Sequence, residues 1–251
     1  GVAEPATSLA RKQMEGGCRI WMGAVWGRSF EQRLRALGVP LAESLDLRRL
    51  YNPFAIAGQI RKVRAFIVRN QIQIVHTHLL HDHWLAALAL RGIAPAERPL
   101  LVRTVHRYEA MRREPWHRWL FQHATDLLIT VSAEQRDLIL AAYPSTASRL
   151  KVIHGGVDPE QFRPNQPGAA SVRADMGERP DSMVAAIVAH LGYNRGHKWL
   201  LAAAPRVVET LPKAVIWIVG QGELKKWLRQ ELQNPRYRSR VLLAGYRSED
   251  L

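Results

Sequence analysis

The stretch VAHLGYNRGHKWLL, residues 188–201, places two glycines and four basic side chains between two apolar segments. The run that ends at His190 has the composition of a buried strand, and a new apolar stretch begins at Trp199. Glycines between a strand and a helix let a ligand approach the first backbone N–H groups of that helix, where the helix dipole favours an anion. The stretch therefore predicts either an anion site at a strand–turn–helix unit or a solvated turn with surface charges.

Short apolar segments alternate with longer helical patterns along the whole chain, which favours a parallel α/β fold. The segments are almost continuously apolar, as expected of strands covered on both faces. Helices are predicted over 53–70, 132–143, 197–211 and 222–232, and Ser132 is the expected N-cap of the second. The predicted strands are 18–25, 72–78, 99–106, 126–132, 150–156, 183–190, 214–220 and 240–246.

A change of composition divides the chain. Residues 158–182 are rich in Pro, Gly, Asp and Ser and contain no apolar run, which is typical of a linker. We therefore expect one domain over 1–165 and another over 166–251. The second domain offers only three strands, so we expect it to be incomplete.

Composition restricts the class of protein and its partners. The 251 residues include 36 Lys and Arg against 22 Asp and Glu, a formal net charge of +14, which favours polyanions, anionic lipids or phosphorylated substrates. The single cysteine, Cys18, excludes an intrachain disulfide and indicates a reducing compartment. No apolar run approaches the ~18 residues that span a bilayer. We expect a cytoplasmic protein, with peripheral attachment to the inner membrane as a further possibility.

Histidines are concentrated in HTHLLHDH, residues 76–83, and His106 ends a predicted strand. One interpretation is a transition-metal site. The other is a set of side chains at the carboxyl ends of parallel strands, where open α/β sheets bind ligands. The segment has neither H-E-x-x-H spacing nor an accompanying cysteine pair, so the second interpretation is favoured and no metal is expected.

A second glycine turn lies in IVGQGELKKWL, residues 218–228. A dinucleotide fingerprint, G-x-G-x-x-G, would need a third glycine where Lys225 stands. The next predicted strand also lacks the acidic end that holds a ribose in that fold. An NAD-dependent dehydrogenase is therefore disfavoured.

Six motifs in order resemble the GT-B glycosyltransferases and, within them, the retaining family 4. The resemblance implies two Rossmann-like domains with parallel sheets facing a cleft, an acceptor held mainly by the first and a nucleotide-diphosphate sugar by the second. It also implies sugar transfer with retention and without a metal or other cofactor. The motifs are IVHTHLLHDHWLAALAL, RTVH, TDLLITVSAEQRDLIL, KVIHGGVDPEQFRP, VAHLGYNRGHKWLLAAAPRV and AVIWIVGQGELKKWL.

The same resemblance implies roles for single residues. Arg195 stands where the family has the lysine of a pyrophosphate clamp, and His190 stands where it has an arginine. His106 matches the T-x-H histidine that contacts the transferring sugar or its phosphate, so His106 and Arg195 are the catalytic candidates. The expected donor-binding residues are Gly1, His190, Arg195, Gly220 and Tyr246, and those of the acceptor-side cleft are His78 and His81.

The family's first strand and its E-x7-E glutamates match nothing between Gly1 and Leu251, so we expect a fragment whose own activity is open. The expected partners are a nucleotide sugar and a glycan or lipid-linked acceptor of polysaccharide or lipopolysaccharide biosynthesis, without nucleic acid.

The net charge supports a rival hypothesis, a non-catalytic α/β protein that binds polyanions or an anionic membrane. It would use MRREPWHRW, residues 111–119, and the basic face of 53–70, unless these are ordinary solvated faces. Trp116, Trp119 and Phe121 interleave with arginines, which favours a membrane over nucleic acid.

Overall fold

The computed structural model describes residues 3–106, 112–160, 162–164, 168–179, 181–237 and 239–247. The chain divides into two compact units, Gly1–Gly156 and Val157–Leu251. The predicted boundary after residue 165 lies beyond this division, within the proline-rich segment. Every strand pairing described is parallel, as the almost continuously apolar segments predict.

The first unit alternates helices and strands around two parallel sheets. Its elements are α1 (Ala3–Glu15), β1 (Met22–Ala24), α2 (Ser29–Ala36), β2 (Leu41–Asp46), α3 (Pro53–Arg69), β3 (Ile74–Thr77), α4 (Leu80–Leu90), β4 (Leu100–Val105), α5 (Pro115–Trp119), β5 (Leu127–Thr130), α6 (Ala133–Ala142) and β6 (Leu150–Val152). A π-helical turn (Leu120–Ala124) follows α5, and a 3-10 turn (Pro144–Arg149) precedes β6. β1 pairs with β2, and the larger sheet has the order β3-β4-β5-β6.

Capping residues set the starts of the two helices predicted in this unit. Asn52 accepts hydrogen bonds from the backbone N–H groups at the start of α3, and proline occupies its first turn. Ser132 Oγ accepts from the backbone N–H of Gln135 at 3.2 Å, which confirms the predicted N-cap of α6. Val63 and Ile67 lie on the inner face of α3 and are buried in the hydrophobic core that packs on the larger sheet.

The second unit is a three-stranded parallel sheet of order β7-β8-β9 with its helices. The central strand is buried along its whole length, since it has a neighbour on each side. The elements are α7 (Ala169–Asp175), β7 (Met183–Val188), α8 (His197–Thr210), β8 (Ala214–Val219), α9 (Lys225–Glu231), a 3-10 turn (Pro235–Tyr237) and β9 (Val241–Gly245).

All eight predicted strands are present, and one strand, β2, and several helices were not predicted. The sequence pattern does not predict β2, because LAESLD forms no apolar run; Glu43 and Ser44 of this strand are exposed. α1 and α2 have polar sequences, and α7, inside the predicted linker, buries no residue. In the part of the chain that the structure describes, no helix is long and apolar enough to cross a membrane.

Candidate functional site

Two glycine-containing loops lie side by side at the carboxyl ends of β7 and β8. The β7 loop comprises residues 189–196, and the β8 loop comprises residues 220–224. The backbone N–H of Leu191 donates to the carbonyl of Gln221 at 2.9 Å, and that of Leu224 donates to the carbonyl of Leu191 at 3.0 Å. The two loops therefore form one hydrogen-bonded backbone platform at the ligand-binding edge of the sheet.

Glycine is required where the β8 loop passes the β7 loop. Gly220 has φ +147°, and a Cβ there would lie 1.9 Å from the carbonyl oxygen of Ala189. Gly222 has φ +158°, and its Cβ would lie 2.6 Å from the carbonyl oxygen of Leu191. Both glycines of the failed dinucleotide fingerprint thus allow close approach of the two loops.

The β7 loop leads directly into the N-terminus of α8. Gly196, with φ +79°, is the N-cap residue, and no side chain among the described residues caps the helix. The first backbone N–H groups of α8 are therefore available to an anion, and the dipole adds partial positive charge there. Arg195 and Lys198 are exposed at this end, whereas His197 is buried and its Nε2 lies 3.2 Å from the carbonyl oxygen of His190.

His190 has an acidic partner that the sequence did not reveal. Its Nε2 lies 3.0 Å from Oε2 of Glu223, and both side chains are about half exposed. A hydrogen bond from its own backbone N–H lowers the pKa of Glu223 below its ordinary value, and the hydrogen bond with His190 adds to this. The only sequence signal for Glu223 was its place directly after the G-x-G of the β8 loop. His190, which the resemblance places at the family's arginine position, thus contacts a carboxylate.

In the first unit the carboxyl ends of β3 and β4 carry a histidine cluster. His78 Nδ1 lies 2.8 Å from His106 Nε2, and the rings of His76 and His78 lie 4.3 Å apart between centroids. His76 Nε2 is also 2.7 Å from Thr104 Oγ1. The prediction that these histidines share one sheet edge is confirmed.

Burial keeps the imidazoles of His76 and His78 uncharged near pH 7. It lowers the pKa of His76 to about 4 and that of His78 to about 3, and neighbouring histidines and Arg103 add to the shift. Arg103 is completely buried on β4 and carries a permanent positive charge. Each neutral imidazole therefore presents one donor and one acceptor nitrogen near pH 7.

The other members of the HTHLLHDH segment lie in the first turn of α4. His83 is fully buried, and its Nε2 lies 2.7 Å from Thr125 Oγ1, so it belongs to the core. Burial also raises the pKa of Asp82. The buried Nε2 of His81 has no hydrogen-bond partner within the described ranges. Across those same ranges, no three His, Cys, Asp or Glu side chains are grouped as a metal ion would require.

The remaining candidates are Tyr246, Gly1 and the aromatic residues Trp116, Trp119 and Phe121. Tyr246 follows β9 and is 63% exposed, and Gly1 lies outside the described residues. Trp116 is exposed, but Trp119 stacks on Trp84 with centroids 6.1 Å apart and Phe121 is buried. The prediction that Trp116, Trp119 and Phe121 together form an exposed membrane-binding surface is therefore wrong for Phe121. It is also weakened for Trp119, which packs on Trp84.

Parallel α/β units with these strand-end loops define a protein of the GT-B type. Residues 1–161 match the sequence model of glycosyltransferase family 4, and the chain belongs to this family.

The chain is similar to several known proteins. EpsD of Bacillus subtilis, which is named as a glycosyltransferase, is 30% identical over 198 residues, covering 72% of this chain and 50% of EpsD. The UDP-Gal:alpha-D-GlcNAc-diphosphoundecaprenol alpha-1,3-galactosyltransferase of Escherichia coli is 28% identical over 194 residues, covering 72% of this chain and 49% of that protein. The chain thus spans about half the length of the curated relatives it matches.

One solved structure similar to this fold is Anabaena HepE in complex with UDP, with a TM-score of 0.76 and 18% identity. The match covers 99% of this chain and 66% of HepE. HepE is also known in complex with UDP-glucose.

Proposed function

We propose that this protein is a glycosyltransferase that moves a sugar from a nucleoside-diphosphate sugar to a glycan or a lipid-linked acceptor. The observation that carries the proposal is the uncapped start of α8 beside Arg195, on the platform of joined glycine loops, in a chain of family 4. UDP and UDP-glucose in HepE, and UDP-Gal in the name of the Escherichia coli relative, support a uridine diphosphate donor. The diphosphoundecaprenol in that name supports a lipid-linked acceptor.

In the proposed reaction the donor diphosphate lies against the start of α8. Negative charge develops on the diphosphate as its bond to the sugar breaks. The first N–H groups of α8, the Arg195 guanidinium and the His190 imidazole stabilise that charge. Preorganised donors of this kind contribute about 3 kcal/mol each to lowering a barrier. The exposed, permanently charged Arg195 is the principal cation of the site.

We propose that the anomeric configuration is retained. Retention through a covalent intermediate would require a carboxylate nucleophile about 5 Å from a second carboxyl group. Glu223, the acidic residue of the β8 loop, is instead engaged with His190. In the proposed step the acceptor oxygen bonds to the anomeric carbon on the face that the diphosphate leaves, and the leaving diphosphate takes the acceptor proton. Arg195 and the helix N-terminus replace a metal ion in this scheme.

His106 is the proposed contact of the first unit with the transferring sugar. The hydrogen bond with His78 orients its ring, and the low pKa of His78 keeps that partner neutral. His81, in the first turn of α4, remains the second candidate for binding the acceptor.

A transfer assay tests this proposal. The protein is incubated with UDP-glucose or UDP-galactose and an undecaprenyl-diphosphate-linked sugar, with and without EDTA, and NMR gives the anomeric configuration of the product. We expect acceptor-dependent UDP release that is insensitive to EDTA, with an α-linked product. Arg195→Ala is expected to lower the rate about a hundredfold, and Lys198→Ala, the control one turn away, is not. Full activity of Arg195→Ala, or loss of activity with EDTA, would contradict the proposed chemistry.

A further inference from the structure

Glu223 places a carboxylate against the loop that leads into α8. Its Oε2 lies 3.0 Å from His190 Nε2, and a Cβ added at Gly192 would lie 3.2 Å from its Oε1. The turn that begins at Gly192 is closed by a hydrogen bond of 3.2 Å from the backbone N–H of Arg195 to the Gly192 carbonyl oxygen. The carboxylate therefore lies on the β7 loop itself, beside the turn that carries the proposed principal cation.

This carboxylate is the one acidic group that the sequence supplies to the two loops. Residues 188–201 contain four basic side chains and no Asp or Glu, and the only acidic residue of 218–228 is Glu223. A hydrogen bond from its own backbone N–H lowers the pKa of Glu223, so the carboxylate is ionised near neutral pH. Because the side chains of Glu223 and His190 are both about half exposed, a ligand that enters from solvent meets this charge.

A fixed negative charge at this place distinguishes the two diphosphates of the proposed reaction. In the donor, the terminal phosphate is esterified to the sugar and carries one negative charge. In the released nucleoside diphosphate, the same phosphate is a monoester with a second pKa of about 6. It therefore carries nearly two charges at pH 7, once the proton taken from the acceptor has passed to water. Repulsion by Glu223 at the terminal phosphate is about twice as large for the product as for the donor.

We propose that Glu223 is a specificity-determining residue, which makes the site prefer the nucleoside-diphosphate sugar to the free nucleoside diphosphate and so speeds release of the product. Glu223 acts by repulsion, whereas Arg195 and the start of α8 attract both ligands. A residue that served only to hold His190 in place would affect the two ligands alike. The inference rests on the proposed function, since it takes the diphosphate to lie against the start of α8.

Calorimetric titration of the 251-residue chain with UDP and, separately, with UDP-glucose tests the inference without an acceptor. Glu223→Gln removes the charge and keeps a side chain that can hydrogen-bond to His190. We expect this variant to bind UDP-glucose about twofold more tightly and UDP about fourfold more tightly, because the repulsion removed doubles with the charge of the terminal phosphate. The ratio of the dissociation constant of UDP to that of UDP-glucose therefore falls about twofold, and the fall is smaller at high salt.

Two control variants, each verified as folded by circular dichroism, separate charge from position. Glu223→Asp keeps the negative charge, and Glu209→Gln makes the same charge change near the other end of α8. Neither is expected to change the ratio. A ratio that Glu223→Gln leaves unchanged, or that Glu209→Gln lowers equally, would overturn the inference and leave the donor site standing. Absence of binding of both ligands to the unaltered chain would instead overturn the proposed function, and the inference with it.

Discussion

His78 Nδ1 lies 2.8 Å from His106 Nε2, which joins the carboxyl ends of β3 and β4 through two imidazoles. One nitrogen of this pair must donate and the other accept, so the tautomer of one ring determines the tautomer of the other. Because His78 is buried and its pKa falls to about 3, protonation does not break the pair near neutral pH. His106 is therefore held in one orientation.

The first prediction is that the unfolding free energy falls as the solution is acidified. The pKa values of His76 and His78 in the fold are about 4 and about 3, below the ordinary 6.5. Between pH 6.5 and about pH 4 the unfolded chain binds more protons than the folded chain. The stabilisation that is present above pH 6.5 is therefore lost as the pH falls toward 4. Each histidine contributes at most about 1.4 kcal/mol per pH unit. Urea unfolding from about pH 7 to about pH 5 measures the slope.

The double variant His76→Asn with His78→Asn is expected to reduce that slope. The remaining slope comes from His83 and His117, because burial lowers the pKa of each of them as well. The control is His123→Asn, because His123 is exposed. An unchanged slope in the double variant would show that the cluster is not the cause.

The second prediction concerns the platform of joined loops. Gly220→Ala would place a Cβ 1.9 Å from the carbonyl oxygen of Ala189 at a backbone angle that disfavours alanine. We expect a loss of about 2–4 kcal/mol in the unfolding free energy of the second unit. Gly156→Ala is the control, because no atom lies within 4 Å of its Cβ. Urea unfolding followed by circular dichroism measures both variants, and equal stability would contradict the described contact.

The third prediction concerns the pair formed by His190 and Glu223. A permanently charged guanidinium at position 190 can bind the diphosphate and keep a contact with Glu223. His190→Arg is therefore expected to tighten UDP binding several-fold, and Glu223→Gln to tighten it by removing a negative charge beside the site. Calorimetric titration with UDP gives the dissociation constants. Weaker binding in both variants would mean that the hydrogen-bonded pair itself forms part of the site.

Much of the fold was predictable because parallel strands leave a continuous apolar signal. In the stretch 188–201, β7 ends at Val188 and α8 starts at His197, on either side of the glycine loop. The prediction that β7 is a buried strand is wrong, because β7 lies at the edge of its sheet and most of its residues are exposed. β2 was not predictable, because exposed polar residues interrupt it. Helices α1 and α2 were missed because few of their residues are apolar.

The strand-end positions of the candidate residues were predictable, and their pairings were not. Sequence order places His78 and His106 at the ends of neighbouring strands, but only the register of β3 with β4 brings their ring nitrogens together. His190 and Glu223 are 33 residues apart, and their contact depends on the approach of two loops that Gly220 and Gly222 allow. Such contacts follow from backbone geometry, which local sequence patterns do not encode.

The central claim, that the start of α8 binds the donor diphosphate, is tested most directly by NMR. The ¹⁵N-labelled 251-residue chain is titrated with UDP, and amide and guanidinium shifts are followed. We predict saturable shifts centred on Gly192, Arg195, Gly196 and His197, strongly reduced in Arg195→Ala and unchanged in Lys198→Ala. Saturating UDP that leaves these signals unmoved, or that shifts them equally in Arg195→Ala, would contradict the account.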